Sequence, residues 1–145
     1  MKLFFITASL LCLTGCSLLG IYVLNDSLTA AQHNDLGFSY EKQSKLELAE
    51  KEYQRALKKD KAWPVPCFNL GNVYYKMGKP SKAIKYYRLG LKKEPNHPDI
   101  MNNLAFVLME QGNDTEAKKW IEKAISIEAK PQYLDTREII LNRLK

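Results

Sequence analysis

Shifted against itself by 34 residues, the sequence matches in column after column. Leu36, Leu70 and Leu104 share one column, followed by Gly37, Gly71, Ala105 and by Tyr40, Tyr74, Leu108. Further along fall Ala49, Ala83, Ala117; Tyr53, Tyr87, Ile121; Ala56, Gly90, Ala124; and Leu57, Leu91, Ile125, with Asp35, Asn69 and Asn103 as a polar column among them. Within each unit the apolar residues lie three or four apart, as in Leu70, Tyr74, Met77 and Ala83, Tyr87, Gly90, Leu91. That spacing gives amphipathic helices. One such helix pair cannot bury its own apolar face, whereas three stacked pairs can. The expected fold is therefore all-α, a solenoid of three helix–turn–helix units.

Punctuation along the chain agrees. Gly78 and Gly112 stand where the first helix of a unit should end and a left-handed residue is favoured. Pro64 and Pro98 stand where the next unit opens, and proline is tolerated in a first helical turn. Gly37, Gly71, Ala49 and Ala83 are small enough to let two helices approach, with the aromatic columns filling the space beside them. The three units read as 30–63, 64–97 and 98–131. Beyond them 132–145 reads as a capping helix, with Arg137, Glu138, Asn142, Arg143 and Lys145 on a polar side. Placing Ile140 and Leu144 in the columns of Leu104 and Leu108 changes the spacing there to 36.

A Leu-Gly-x-x-Tyr…Ala…Tyr…Ala pattern at this period resembles the tetratricopeptide repeat. The resemblance implies a concave surface lined by the first helix of each unit, holding a peptide segment of a partner protein. Its groove-facing places fall on Asn34, Phe38 and Glu41 in unit one and on Val65, Phe68, Asn72, Tyr75 and Lys76 in unit two. Unit three supplies Asn102, Phe106, Met109 and Glu110. Some cytosolic members grip C-terminal carboxylates with a clamp of lysines, asparagines and an arginine. Only Asn69 matches that clamp; Asn34, Phe38, Asp99 and Asn103 occupy its other places, so the cations are missing. The resemblance also takes in small lipoproteins that help assemble secretin channels and type IV pili.

The first thirty residues set the expected location. Lys2 precedes an apolar core from Leu3 to Leu13, and Leu13-Thr14-Gly15-Cys16 follows it. This resembles a bacterial lipoprotein signal peptide, 1–15, cleaved so that Cys16 becomes the lipidated residue and 16–29 a membrane-proximal tether. Ser17 after the cysteine favours the outer membrane, by analogy with enteric lipoproteins. The competing reading is a single uncut transmembrane helix, because Leu3 to Leu24 contain no charge over 22 positions. Either way Lys2 before and Asp26 after the segment place the domain outside the cytoplasm, in the cell envelope. Cys67 is then the one cysteine of the mature domain, and no internal disulfide can form.

Chemistry is sparse. There are two histidines, no Cys/His cluster with metal spacing, no glycine-rich phosphate loop and no nucleophile with an evident base. No enzymatic activity, cofactor or metal is expected. His97-Pro98-Asp99 spells a tripeptide found in J-domain co-chaperones, but here it sits in a joint between units and has local reasons to be there. The formal charge is +6, and residues 64–97 hold seven Lys/Arg against one Glu. Lys82, Lys85, Arg88 and Lys92 lie along one face of a second helix. Such a stripe suits an anionic lipid or glycan or an acidic protein, or remains a solvated face; outside the cytoplasm nucleic acid is not an expected partner. The sequence thus describes an envelope adaptor that binds a peptide segment of another envelope protein. A lipid- or glycan-binding surface protein is the alternative.

Overall fold

The computed structural model describes residues 26–145. Cys16, the signal segment 1–15 and all of the tether but its last four residues lie outside the described residues. Seven helices run in chain order: α1 (Ala30–Lys42), α2 (Leu46–Lys59), α3 (Val65–Lys76), α4 (Pro80–Lys93), α5 (Pro98–Glu110), α6 (Asp114–Ile127) and α7 (Pro131–Arg143). No strand occurs among the described residues. The pairs α1–α2, α3–α4 and α5–α6 form the three units, and each unit packs on the next through α2–α3 and α4–α5. None of these helices is long and apolar enough to cross a membrane.

Local chemistry sets the boundaries. Thr29 and Gln32 form a reciprocal capping box at the start of α1. Pro80, Pro98 and Pro131 occupy first-turn positions of their helices. Gly78 and Gly112 turn out of α3 and α5 at φ +68° and +76°. Unit one places Ser44 in the same column at φ +57°, a conformation that costs a residue with a Cβ.

The seam inside each pair is set by complementary volumes. A methyl built on Gly71 would lie 2.3 Å from the Tyr87 ring, and one on Gly37 would lie 2.7 Å from Tyr53. Unit three has Ala105 where the others have glycine, and opposite it the smaller Ile121 replaces tyrosine; both are fully buried. The columns covary because the interior is close-packed.

Helix α7 opens on Pro131 and does not bury both residues that a spacing of 36 assigns to core columns. Tyr133, Thr136 and Ile140 are the buried residues of α7, whereas Leu144 is exposed at the helix end. The outer side is less polar than the sequence suggests, since Leu134 and Ile139 are exposed beside Glu138.

Candidate functional site

The first helices α1, α3 and α5 lie side by side and carry the sequence-predicted groove residues. Between α3 and α5 lies a hollow of about 240 Å³, lined by Asn72, Tyr75, Lys76, Asn102, Asn103, Phe106 and Val107, with Tyr87 of α4 behind. Tyr75 and Phe106 meet edge to face across it, ring centroids 5.9 Å apart at 85°. Both rings are half-buried, so each keeps part of a face open.

A chain of amides runs beneath the rings. Asn102 Nδ2 donates to Asn103 Oδ1 at 3.2 Å, and Asn103 Nδ2 donates to Asn72 Oδ1 at 2.9 Å. The Tyr87 hydroxyl donates to the same Asn72 oxygen at 2.7 Å. Burial pushes the Tyr87 phenol well above its ordinary range, so it remains a donor. Nearer unit one, Asn69 Nδ2 donates to Asn34 Oδ1 at 2.8 Å. Glu41 accepts from the Tyr53 hydroxyl at 2.8 Å and pairs with Lys76 at 2.6 Å, which neutralises the one lysine on this lip. Burial, followed by the Glu110 carboxylate, raises the Tyr75 phenol.

Two predicted groove residues are drawn elsewhere. Met109 is 5% exposed and belongs to the core, in the unit against which α7 packs. Phe68 stacks on His97 at 5.9 Å and leans on Tyr87, so it fills the joint between units. His97 also caps α5, its Nδ1 accepting from the Ile100 amide, which gives it a structural part. Phe38 is the open aromatic of unit one, 52% exposed with the Lys42 ammonium 5.2 Å from its ring centre.

The basic stripe divides. Lys82, Lys85, Arg88 and Lys92 are all exposed on α4. Arg88, however, pairs with Glu116 of α6 at 2.8 Å and so ties unit two to unit three. A hydrogen bond from Trp120, with Arg88 adding to it, holds the Glu116 carboxyl below its usual value. Lys82 sits over the Tyr74 ring at 5.1 Å. Among the described residues no group of three His, Cys, Asp or Glu could hold a metal ion.

Sequence reasoning missed two networks. One is the Asn102–Asn103–Asn72–Tyr87 chain, which joins α5, α3 and α4. The other is a buried cluster at the outer end of unit one. There His33 Nδ1 lies 2.7 Å from Glu52 and Nε2 lies 2.7 Å from Asp26, while Arg55 bonds Glu52 at 2.6 Å. A signal for the second existed: His33 and Glu52 stand in columns that elsewhere hold Cys67, Met101 and Tyr86, Trp120.

Residues 64–97 and 99–128 each match a model of the tetratricopeptide repeat. None of the curated proteins compared matches the chain. Among solved structures, the first such domain of Spaghetti (RPAP3), bound to the HSP90 peptide SRMEEVD, superposes with a TM-score of 0.77 at 21% identity, covering 79% of this chain and 92% of that one. The Sgt2 domain of Aspergillus fumigatus gives 0.76 at 19% identity, covering 79% and 78%. The type III secretion chaperone SycD of Yersinia enterocolitica, in complex with a peptide of the translocator YopD, gives 0.73 at 24% identity, covering 79% and 94%. At these identities the likeness is one of fold.

Proposed function

Because this chain is a tetratricopeptide repeat protein, we propose that it is a non-enzymatic adaptor holding a peptide segment of a partner protein against α3 and α5. The observation that carries the reading is the hollow walled by Tyr75 and Phe106 and floored by amides. It combines an apolar anchor site with a few convergent polar groups, the usual make-up of a recognition pocket. Two proteins of the same fold hold peptides in their solved structures. Tyr75→Ala and Phe106→Ala should each weaken recovery of the partner about tenfold or more, since buried aromatic anchors carry most of an interface's energy. The loss should persist in high salt. Unchanged recovery with both variants would refute the reading.

The envelope placement is part of the same proposal and rests on the Leu13–Cys16 box after an apolar core. Cleavage leaves lipid on Cys16, the domain faces the periplasm from the outer membrane, and the partner is an envelope protein, with a secretin or pilus assembly as the special case. Cys16→Ala should block both processing and labelling with radioactive palmitate. An uncut, unlabelled wild-type chain would favour the spanning helix instead. A second reading draws on the exposed Lys82, Lys85 and Lys92 of α4 and has the protein bind anionic lipid or glycan. It predicts binding that falls steeply with salt and with Lys82→Ala plus Lys85→Ala.

A further inference from the structure

Helix α7 packs on α6 and α5, and among the described residues nothing covers its other side. Of the six large apolar side chains exposed there, Leu134 and Ile139 lie on α7 and Leu144 at its end. A groove of about 390 Å³ runs along one flank of the helix, walled by Leu134, Arg137, Glu138, Leu141, Asn142 and Lys145.

The spacing decides what shape of partner fits. Leu134, Arg137, Glu138 and Leu141 stand at i, i+3, i+4 and i+7, the positions that enclose a hole for one side chain of a facing helix. Glu138, Leu141, Asn142 and Lys145 enclose a second hole one turn on. Two successive holes suit a helix laid alongside. They do not suit an extended strand, whose side chains alternate in direction.

The charges decide which helix. Arg137 and Glu138 are adjacent in sequence and cannot face each other. Neither enters an ion pair among the described residues. A two-fold axis passing between them brings two copies of α7 together antiparallel. Each Arg137 then meets Glu138 of the other copy, and each Leu134 lies against the other copy's Leu141. A parallel pairing would set arginine on arginine and glutamate on glutamate, with the helix dipoles aligned against one another. The groove holds Asp135 and Glu138 against Arg137 and Lys145, so it is neutral and complements itself better than a strongly charged partner.

We infer that this flank of α7 is a self-association surface, on which a second copy of the chain packs its own α7 antiparallel. The 13 residues of α7 make a helix about 20 Å long. The contact is therefore smaller than a standard stable interface, with a dissociation constant on the order of 10 µM. No residue lining the α3–α5 hollow lies on α7, so each copy keeps its own groove. The inference is independent of the adaptor reading and gives such an adaptor two grooves.

The test is sedimentation equilibrium of the full chain in density-matched detergent, with circular dichroism to confirm that each variant is folded. Wild type should dimerise reversibly. Arg137→Glu and Glu138→Arg each bring like charges together and should weaken the dimer about tenfold or more. Mixed in equal amounts, the two variants should pair with each other as tightly as wild type does with itself, because each supplies the charge the other now needs. Leu134→Glu, at an exposed position, should also weaken the dimer about tenfold. A wild type still monomeric at about 1 mM would overturn the inference. Capture of a different protein by benzoylphenylalanine at position 134 would then assign the flank to that partner. A dimer that Arg137→Glu and Leu134→Glu leave unchanged would overturn it by placing the contact elsewhere. Loss in both charge variants without recovery on mixing would overturn the antiparallel pairing. Should a charge variant lose helix, Leu134→Glu decides: a weakened dimer supports the inference and an unchanged one overturns it.

Discussion

Where the second and third units bury Cys67 and Met101 and hold half-buried Tyr86 and Trp120 in the matching columns, the first buries His33 against Glu52 and Asp26. The far end is polar too: the Tyr133 hydroxyl donates to Asp99, and Lys130 pairs with Asp99 at 3.2 Å. Between the ends the units pack through apolar columns, with tyrosine-on-glycine seams inside units one and two and amide pairs, Asn69 to Asn34 and Asn103 to Asn72, linking neighbouring first helices. An inner unit has neighbours on both sides to cover apolar residues, but an outer face has a single short segment or helix to cover it. Paired and hydrogen-bonded polar groups suit such a place, because they tolerate nearby water and fix one geometry. The two kinds of join should therefore answer differently to mutation and to pH.

The largest effect is expected in the middle. Gly71→Ala drives a methyl into Tyr87 and should cost about 3 kcal/mol of stability in urea unfolding. Adding Tyr87→Ile reproduces the Ala105–Ile121 pairing of unit three and should recover most of that loss. Next comes the N-terminal cluster. His33→Leu leaves the 6%-exposed Glu52 with Arg55 as its remaining partner and should cost about 2 kcal/mol. Converting the site to unit-two chemistry, His33→Cys with Glu52→Tyr, should cost less than the single change. A penalty larger than that of His33→Leu would show that the columns are not interchangeable. At the turns, Ser44→Gly should add and Gly78→Ala should remove about 1 kcal/mol, read from thermal midpoints.

The smallest effect separates ends from middle by pH. Burial alone would raise Asp26, but the Leu28 amide and the His33 ring hold it below its ordinary value. Burial is likewise outweighed at Asp99, by the Tyr133 hydroxyl and then Lys130. A carboxyl lowered in the folded state contributes stability above its unfolded value, and that contribution is lost as pH falls through the folded one. Amide protection factors, taken relative to the intrinsic exchange rate at each pH, should therefore fall in acid for α7 and the first turn of α1 before they fall for α3 and α4. A uniform fall along the chain would show that ends and middle respond alike.

Much of the fold was legible because a repeat writes its packing into columns. The all-α solenoid, the glycine seams facing tyrosine and the left-handed glycines all follow from residues 34 apart. The register of α7 was not, since Ile140 and Leu144 match the apolar columns as well as Tyr133 and Ile140 do. What separates the two choices is burial against α5 and α6, which no local pattern encodes. At the candidate site the sequence located the helix faces but not the side-chain partners. Met109 and Tyr75 occupy the same column, yet Met109 is drawn into the core. The amide chain joins residues 72, 87, 102 and 103, and its polarity depends on one tyrosine proton.

Whether a partner lies between α3 and α5 is decided by placing benzoylphenylalanine at position 75, and separately at position 85, in the full chain within its native cell, irradiating, and identifying the adducts by mass spectrometry. With the partner in the groove, position 75 should capture one recurrent protein, crosslinked through a single short segment, and Phe106→Ala in the same chain should abolish the adduct. No adduct at position 75, with lipid, glycan or protein captured at position 85, would contradict the account and move the function to the basic face of α4.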